Sequence, residues 1–495
     1  MNMVKRILCL MLAAVMLTAC LAACSDPVPP AGGSESTEPA GTDAPADTTE
    51  AVTTAAGYIA PDKYYDSAEF NILVTAPVAN GVNPFNYANT ELVLDNAVYM
   101  RNTAVSEELG VVFNIIFQSQ SSSDGNGPGT KLVQKDASTN DGAYDSLMVT
   151  AYDSANLAQM GLLADILELE QINSNASYWD QPAKKQLSIN NKLFFTTGDI
   201  SFNDKDYTFT VIFNKDIAAD KNVGDLYSLV KENKWTFDKF AECSRTVSED
   251  LNGDDKMDSR DKYGLVLWDD TILPMVAAAG QRVITLDEDG IPELTLNNEI
   301  TADIVERYIN LAKESCSINF QHMTGGVSWQ NMFTKGQALF LLEYFKALPS
   351  FRDTKLEYGL LPFPKYNEAQ ESYYSGISVW HASFYSIPEF AADHEYSAYV
   401  SESLAAHSER LVTPAYYEKT LIGRYVQDNE SGDMLDIIFD NRVFDLGLYY
   451  RTGTLNSTLI VMLRNLNADF SSQYAAKANI AKLQLDDLKE NFGLK

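Results

Sequence analysis

The chain has 495 residues, 45% of them hydrophobic, and a formal net charge of -31. A single hydrophobic core stops growing near ~250 to 300 residues, so two folded lobes are expected. So acidic a chain repels other polyanions, which excludes nucleic acid and a bare anionic lipid surface as partners but names no ligand.

At the N-terminus, Lys5 and Arg6 precede an apolar run from Ile7 to Ala19 that is too short to span a membrane as a mature helix. Residues 1–24 read as an export signal. Its end, Leu21-Ala22-Ala23-Cys24, resembles a bacterial lipobox, in which the cysteine is diacylated and becomes the mature N-terminus. Leu17-Thr18-Ala19-Cys20 fits the same pattern. Cys24 is preferred because Ser25 and Asp26 follow it, whereas Cys20 leaves an apolar start. The expected location is the outer face of the cell membrane, held there by the lipid. Residues 25–57 are rich in Pro, Ser, Thr, Ala, Gly and acids, and cannot bury enough surface to offset their ordering entropy. They form a tether spanning roughly 30 Å root-mean-square. Cys9 leaves with the signal, so Cys243 and Cys316 are the thiols of the folded part, at no metal-ligand spacing. Buried free thiols are expected, with a disulfide as the alternative on an oxidising cell exterior.

Order begins near Tyr64. Phe70 to Val74 reads as a strand and Glu91 to Leu109 as a helix ended by Gly110. Val111 to Phe117 reads as a second buried strand, which completes a βαβ unit. Ser146 to Val149 is the next strand; Asp153, just after it, is placed to cap the following helix. Phe194 to Asp216 ends in an alternating strand, and Thr236 caps a helix running to Val247.

Asp250, Asn252, Asp254, Asp258 and Asp261 then stand at positions 1, 3, 5, 9 and 12 of a calcium loop, with the Lys256 carbonyl at position 7. Hard oxygen donors at that spacing fit a structural Ca2+. Position 12 is Asp instead of Glu, and position 6 is Asp255 where Gly is usual; Asp tolerates the left-handed turn.

Asn331 to Lys335 reads as a helical turn stopped by Gly336. Gln337 to Phe345 follows as a buried run ending in Glu343 and Tyr344. Tyr358 to Leu361 is a short strand closed by Pro362 and Pro364. Helices are expected at Asp393 to Ser408 and Ser431 to Phe439, and from Leu455 to Leu488.

This order of helix, Gly, apolar strand, cleft aromatic and G-x-L-P-x-P-K resembles the solute-binding proteins of ABC importers, of the family 1, maltose-binding-like kind. Tyr144 to Ile166 is similar to the same family's strand, Asp-bearing loop, helix and G-L-L-x-[DE]. The resemblance covers roughly residues 65 to 495. It implies an α/β, two-lobed periplasmic-binding-protein-like fold of type II, with the ligand cleft between lobes. Residues 65–203 and 380–440 would form lobe 1, and 204–379 and 441–495 lobe 2. It further implies ligand contacts from Tyr152, Asp153, Asp199, Asp206, Tyr207, Trp329, Glu343, Tyr344 and Trp380. The implied ligand is a sugar or oligosaccharide and the implied partner an ABC permease; no catalysis is implied. Peptide or another polar solute, a signalling role and a glycan hydrolase are the alternatives. The four histidines show no metal spacing, and no phosphate loop or G-x-S-x-G elbow occurs. His381, beside Trp380, is expected to point the other way along a strand. Trp179, Trp235 and Trp268 are expected to be structural.

Overall fold

Two sheets, each made from apolar, β-branched and aromatic runs, carry the chain. The computed structural model describes residues 57–77, 85, 92–120, 126–323, 327–352, 354–417, 421 and 428–494. The lipobox cysteine Cys24, its alternative Cys20 and the tether up to residue 56 lie outside them.

The βαβ unit consists of β1 (Ala68–Pro77), α1 (Val93–Leu109) and β2 (Val111–Gln120). Gly110 ends α1 in the left-handed region, at φ 66°, and its amide bonds the Ser106 carbonyl. A Cβ there would stand 2.6 Å from the Tyr64 ring, so glycine serves both the turn and the close approach. Next come β3 (Ser146–Thr150), α2 (Ala151–Gln159), β4 (Phe209–Asn214), β5 (Lys262–Leu267), β6 (Ala338–Tyr344), β7 (Tyr358–Leu361) and β8 (Ser383–Ser386). The helices α3 (His394–Pro414), α4 (Asn429–Asp440) and α5 (Leu455–Arg464) follow.

The first sheet has the order β8-β3-β1-β2, with β1 parallel to both its neighbours and β8 antiparallel to β3. The second runs β7-β4-β6-β5, with short strands Ser248–Glu249 and Ser317–Asn319 both added to β5. β3, β4 and β7 are buried at every position, the burial expected of strands covered on both faces. The chain leaves the first sheet after β3 and returns to it at β8. The two connections meet: Thr208 bridges Ile377 antiparallel, and the Ser378 amide donates to the Tyr207 carbonyl at 2.9 Å.

The stretch 380–440, expected to belong to one lobe, is divided. α3 packs along α1 beside the first sheet, whereas α4 lies on β7 of the second. The reason is its apolar face: Phe439 meets Phe345 at 4.9 Å, and the Ser431 hydroxyl accepts from the Leu360 amide at 3.2 Å. The expected single C-terminal helix is three: Leu455–Arg464, Phe470–Ala475 and Ala478–Asn491. Leu466 in the left-handed region and Asp469 capping the Ser472 amide make the first break. Cys243 and Cys316 are free and buried, and burial raises the Cys243 thiol to about 11. Among the described residues no helix is long and apolar enough to cross a membrane.

Candidate functional site

The site grows from the paired connections. Tyr207 sits on the first, Trp380 and His381 on the second, and Glu343 and Tyr344 at the end of β6. The β4–β6 register pairs Tyr344 with Phe209 and Glu343 with Thr210, which brings the end of β6 to the crossing. Tyr207 stacks on His381 at 5.1 Å and meets Tyr344 edge-on at 5.2 Å. Tyr344 also touches His381 at 5.6 Å, Phe209 at 5.4 Å and Trp268 at 5.9 Å. From Trp268 the rings continue through Phe320 at 6.0 Å to Trp329, a further 5.7 Å on. On the first-sheet side, Trp380 meets Tyr152 at 5.4 Å. The Tyr152 hydroxyl accepts from Asn456 of α5 at 2.6 Å, and the Arg451 guanidinium lies over its ring. Tyr152, Tyr207, Phe209, Trp268 and Glu343 are buried, while Tyr344, His381, Trp380, Phe320 and Trp329 are half-buried; the buried Tyr207 hydroxyl and Trp268 indole N–H have no partner among the described residues. Leaving such a buried donor unmade costs ~1 to 3 kcal/mol, so both are free to serve a bound molecule.

The carboxyls divide into paired and unpaired. Asp206 accepts from Lys346 at 3.2 Å and Tyr416 at 2.9 Å, and Asp199 pairs with Lys205 at 3.6 Å. Burial raises Asp199 above the ordinary carboxyl range. Asp269 is held by Arg464 at 2.6 Å and by His322 and Asn319 at 2.8 Å each; those bonds keep it below that range against the opposing effect of burial. Its neighbour Asp270 makes no hydrogen bond or ion pair among the described residues. Burial, and then the charge of Asp269, push it up to about 7. Among the described residues Glu343 accepts only from the Tyr344 amide, at 3.1 Å, and burial, then the charge of Asp270, raise it to about 8. Burial lowers His381 to about 4, so it is neutral at ordinary pH.

Of the expected contacts, Tyr207, Tyr344, Trp380, Tyr152 and Glu343 come together here, and Trp329 stands at the far end of the ring track. Asp199 and Asp206 lie beside the crossing, engaged by lysines. Asp153 does not cap α2; Thr150 occupies that position, and Asp153 is the third helical residue. Its two oxygens accept from Thr130 at 2.8 Å and Thr150 at 3.0 Å, and its side chain is fully buried.

Three participants went unread. His381 faces the cluster because residues 379–381 form a turn, closed by the Ala382 amide on the Ser378 carbonyl at 3.1 Å, so strand alternation does not apply. Trp268 joins the ring track, unlike Trp235 and Trp179, whose indoles bond the Pro362 carbonyl and Glu402 within the fold. Asp270 sits in a short 3-10 turn after β5 and has no local signature.

The loop from Asp250 to Asp261 has the donor chemistry of a calcium site, and Gly253 and Asp255 take left-handed φ of 70° and 59°. Its side chains are turned elsewhere. Asp250 accepts from the Gly253 and Asp255 amides, Asp261 from those of Leu251 and Asp258, and Arg260 takes Asp254 and Asp258. Lys256 donates its amide to Asp254. Among the described residues no three acidic, His or Cys side chains converge as a metal needs, so this arrangement does not itself fit the ion.

No family model and no curated protein matches the sequence. Solved structures do. An ABC substrate-binding protein from Listeria monocytogenes, in complex with cycloalternan, matches 87% of this chain and 100% of its own at 13% identity and a TM-score of 0.54. A maltose/maltodextrin-binding domain from Bdellovibrio bacteriovorus, bound to maltotriose, matches 86% and 100% at 13% identity and 0.52. A family 1 extracellular solute-binding protein from Bifidobacterium longum subsp. infantis matches 86% and 100% at 14% identity and 0.52. Across most of its length, then, the chain has the fold of the family 1 extracellular solute-binding proteins.

Proposed function

We propose that this chain is the solute-binding component of an ABC importer, which captures a sugar or oligosaccharide between its two sheets and hands it to a membrane permease without breaking a bond. The observation that carries the reading is the wall of rings at the paired connections, with buried polar groups left open beside it. A saccharide has apolar C–H faces and a hydroxyl rim, which aromatic faces and carboxyls match. The wall combines residues of the first-sheet side, Tyr152 and Trp380, with Tyr207, Glu343 and Tyr344 from the crossing and the second sheet. A solute touching both sides stabilises the state in which they are close, which is the state a permease would recognise. The saccharides held by the Listeria and Bdellovibrio proteins support the ligand class.

Small-angle scattering of the purified chain with maltotriose and longer maltodextrins tests this. A smaller radius of gyration on binding, with the sugar recovered intact, is expected. Binding with no change in size, or cleavage of the sugar, overturns the reading.

Lipidation at Cys24 and a Ca2+ at residues 250–261 belong to the same proposal, the latter in a side-chain arrangement in which Arg260 has left Asp254 and Asp258.

A further inference from the structure

We propose that the solute taken by this site carries a protonated amine, an amino sugar or amino-oligosaccharide, seated between the Tyr207 and Tyr344 rings and the carboxyls of Asp270 and Glu343. The inference rests on the solute-binding reading above and sharpens its ligand. Asp199, Asp206 and Asp269, around this crossing, have cations of their own within the fold. Among the described residues Asp270 and Glu343 make no ion pair, and the one cation whose charge reaches Asp270 is Arg464. Glu343 is 4% exposed, and its one hydrogen bond is to the next residue's amide. Asp270 has none among the described residues; it stands two residues after Trp268, which meets Tyr344, and its charge reaches Glu343, Tyr344 and Tyr152.

In the free protein Glu343, buried, and Asp270, half-buried, therefore hold their protons up to about 8 and about 7. A neutral sugar's hydroxyls leave those protons in place, whereas an ammonium group favours the two carboxylates, so it binds as their protons are released. The rings point the same way. Tyr344 has Tyr207, Phe209, Trp268 and His381 around it within 5.9 Å, and aromatic faces attract a cation by their quadrupole. The charged groups nearby do not bond either carboxyl: Arg464 is bound to Asp269 and reaches Asp270 only by its charge, Arg451 lies over the Tyr152 ring, and His381 is neutral. The net charge of -31 adds a long-range field that draws cationic solutes and does nothing for neutral ones.

The test compares matched ligands by calorimetry at about pH 7, where a sugar amine is still largely protonated and can displace the protons of Asp270 and Glu343: glucosamine trimer, its fully N-acetylated counterpart and maltotriose. The amine form should bind about tenfold or more tighter than the acetylated form, a ratio in the range a desolvated cation–π contact and charge pairing support. Asp270→Asn and Glu343→Gln should each bring that ratio towards one. The inference is overturned if neutral trimers bind as tightly as the amine, or if both variants keep the ratio; neutral binding with closure would leave the solute-binding reading intact. Binding of spermidine with no saccharide bound would keep the amine and remove the sugar. No binding of any of these ligands would remove both.

Discussion

At the scale of single residues, Glu343 decides most. It is the first polar residue of a strand that is apolar up to it and ends one residue later at Tyr344, and burial there holds its proton up to about 8. An acid whose proton is bound more tightly in the folded state adds stability that is complete below its unfolded value, ~4.3, and is lost as pH rises through the folded one. Asp270, raised to about 7, works in the same direction. The melting temperature of the ligand-free chain should therefore fall by a few degrees between about pH 5 and pH 8. Glu343→Gln, which cannot ionise, should flatten that fall and melt higher than wild type at the alkaline end. Parallel curves for the two proteins would mean that Glu343 titrates as an ordinary acid. Glu343 and Tyr344 were legible in the sequence because a polar pair ending an apolar strand is itself a signal. Asp270 was not, since nothing around it distinguishes a free acid from Asp269, which the fold uses.

At the scale of elements, periodic runs were legible and breaks were less so. The βαβ unit and the strands β3, β6 and β7 lie where their apolar runs end in Gly, Pro or polar residues, signals local enough to read. The turn at residues 379–381 and the breaks in the C-terminal helix depend on hydrogen bonds that sequence does not display. The loop at 250–261 is intermediate. Its spacing gave the donor set and its left-handed Asp255, but the position of Arg260 is a matter of side-chain choice. With Arg260 on Asp254 and Asp258, an ion must displace an internal guanidinium. Removing that competitor should strengthen binding. Millimolar Ca2+ is expected to raise the melting temperature of wild type, and Arg260→Ala should respond at lower concentration; ligand at ~100 times its dissociation constant adds about 2.7 kcal/mol. If neither protein's melting temperature changes on adding calcium or chelator, the loop is an acidic turn stapled by its own amides.

For the whole molecule, length and composition implied two folded bodies, and the matching solved structures at 12 to 15% identity share an arrangement that few individual residues encode. What joins the parts here is a junction of strands, and Arg442 lies at its centre. Ser375 and Gly376, just before the second connection, pair in parallel with Arg442 and Val443, which follow α4. The Arg442 guanidinium is buried and bonds two carboxylates: Asp180, the cap of helix Gln181–Leu187, and Asp204, in the short helix before the first connection. Three segments far apart in sequence thus converge on one charge. A buried ion triad adds little over a well-packed apolar substitute, but breaking it strands the remaining charges and costs ~3 to 5 kcal/mol. Arg442→Ala should lose about that much in urea unfolding, and adding Asp180→Asn and Asp204→Asn should recover part of it by removing the orphaned charges. The same variant should bind saccharide more weakly even where it stays folded, because the connections that carry Tyr207 and Trp380 lose their common anchor. A variant within about 1 kcal/mol of wild type, below the range for a broken buried pair, would place the junction's strength in the strand pairing alone.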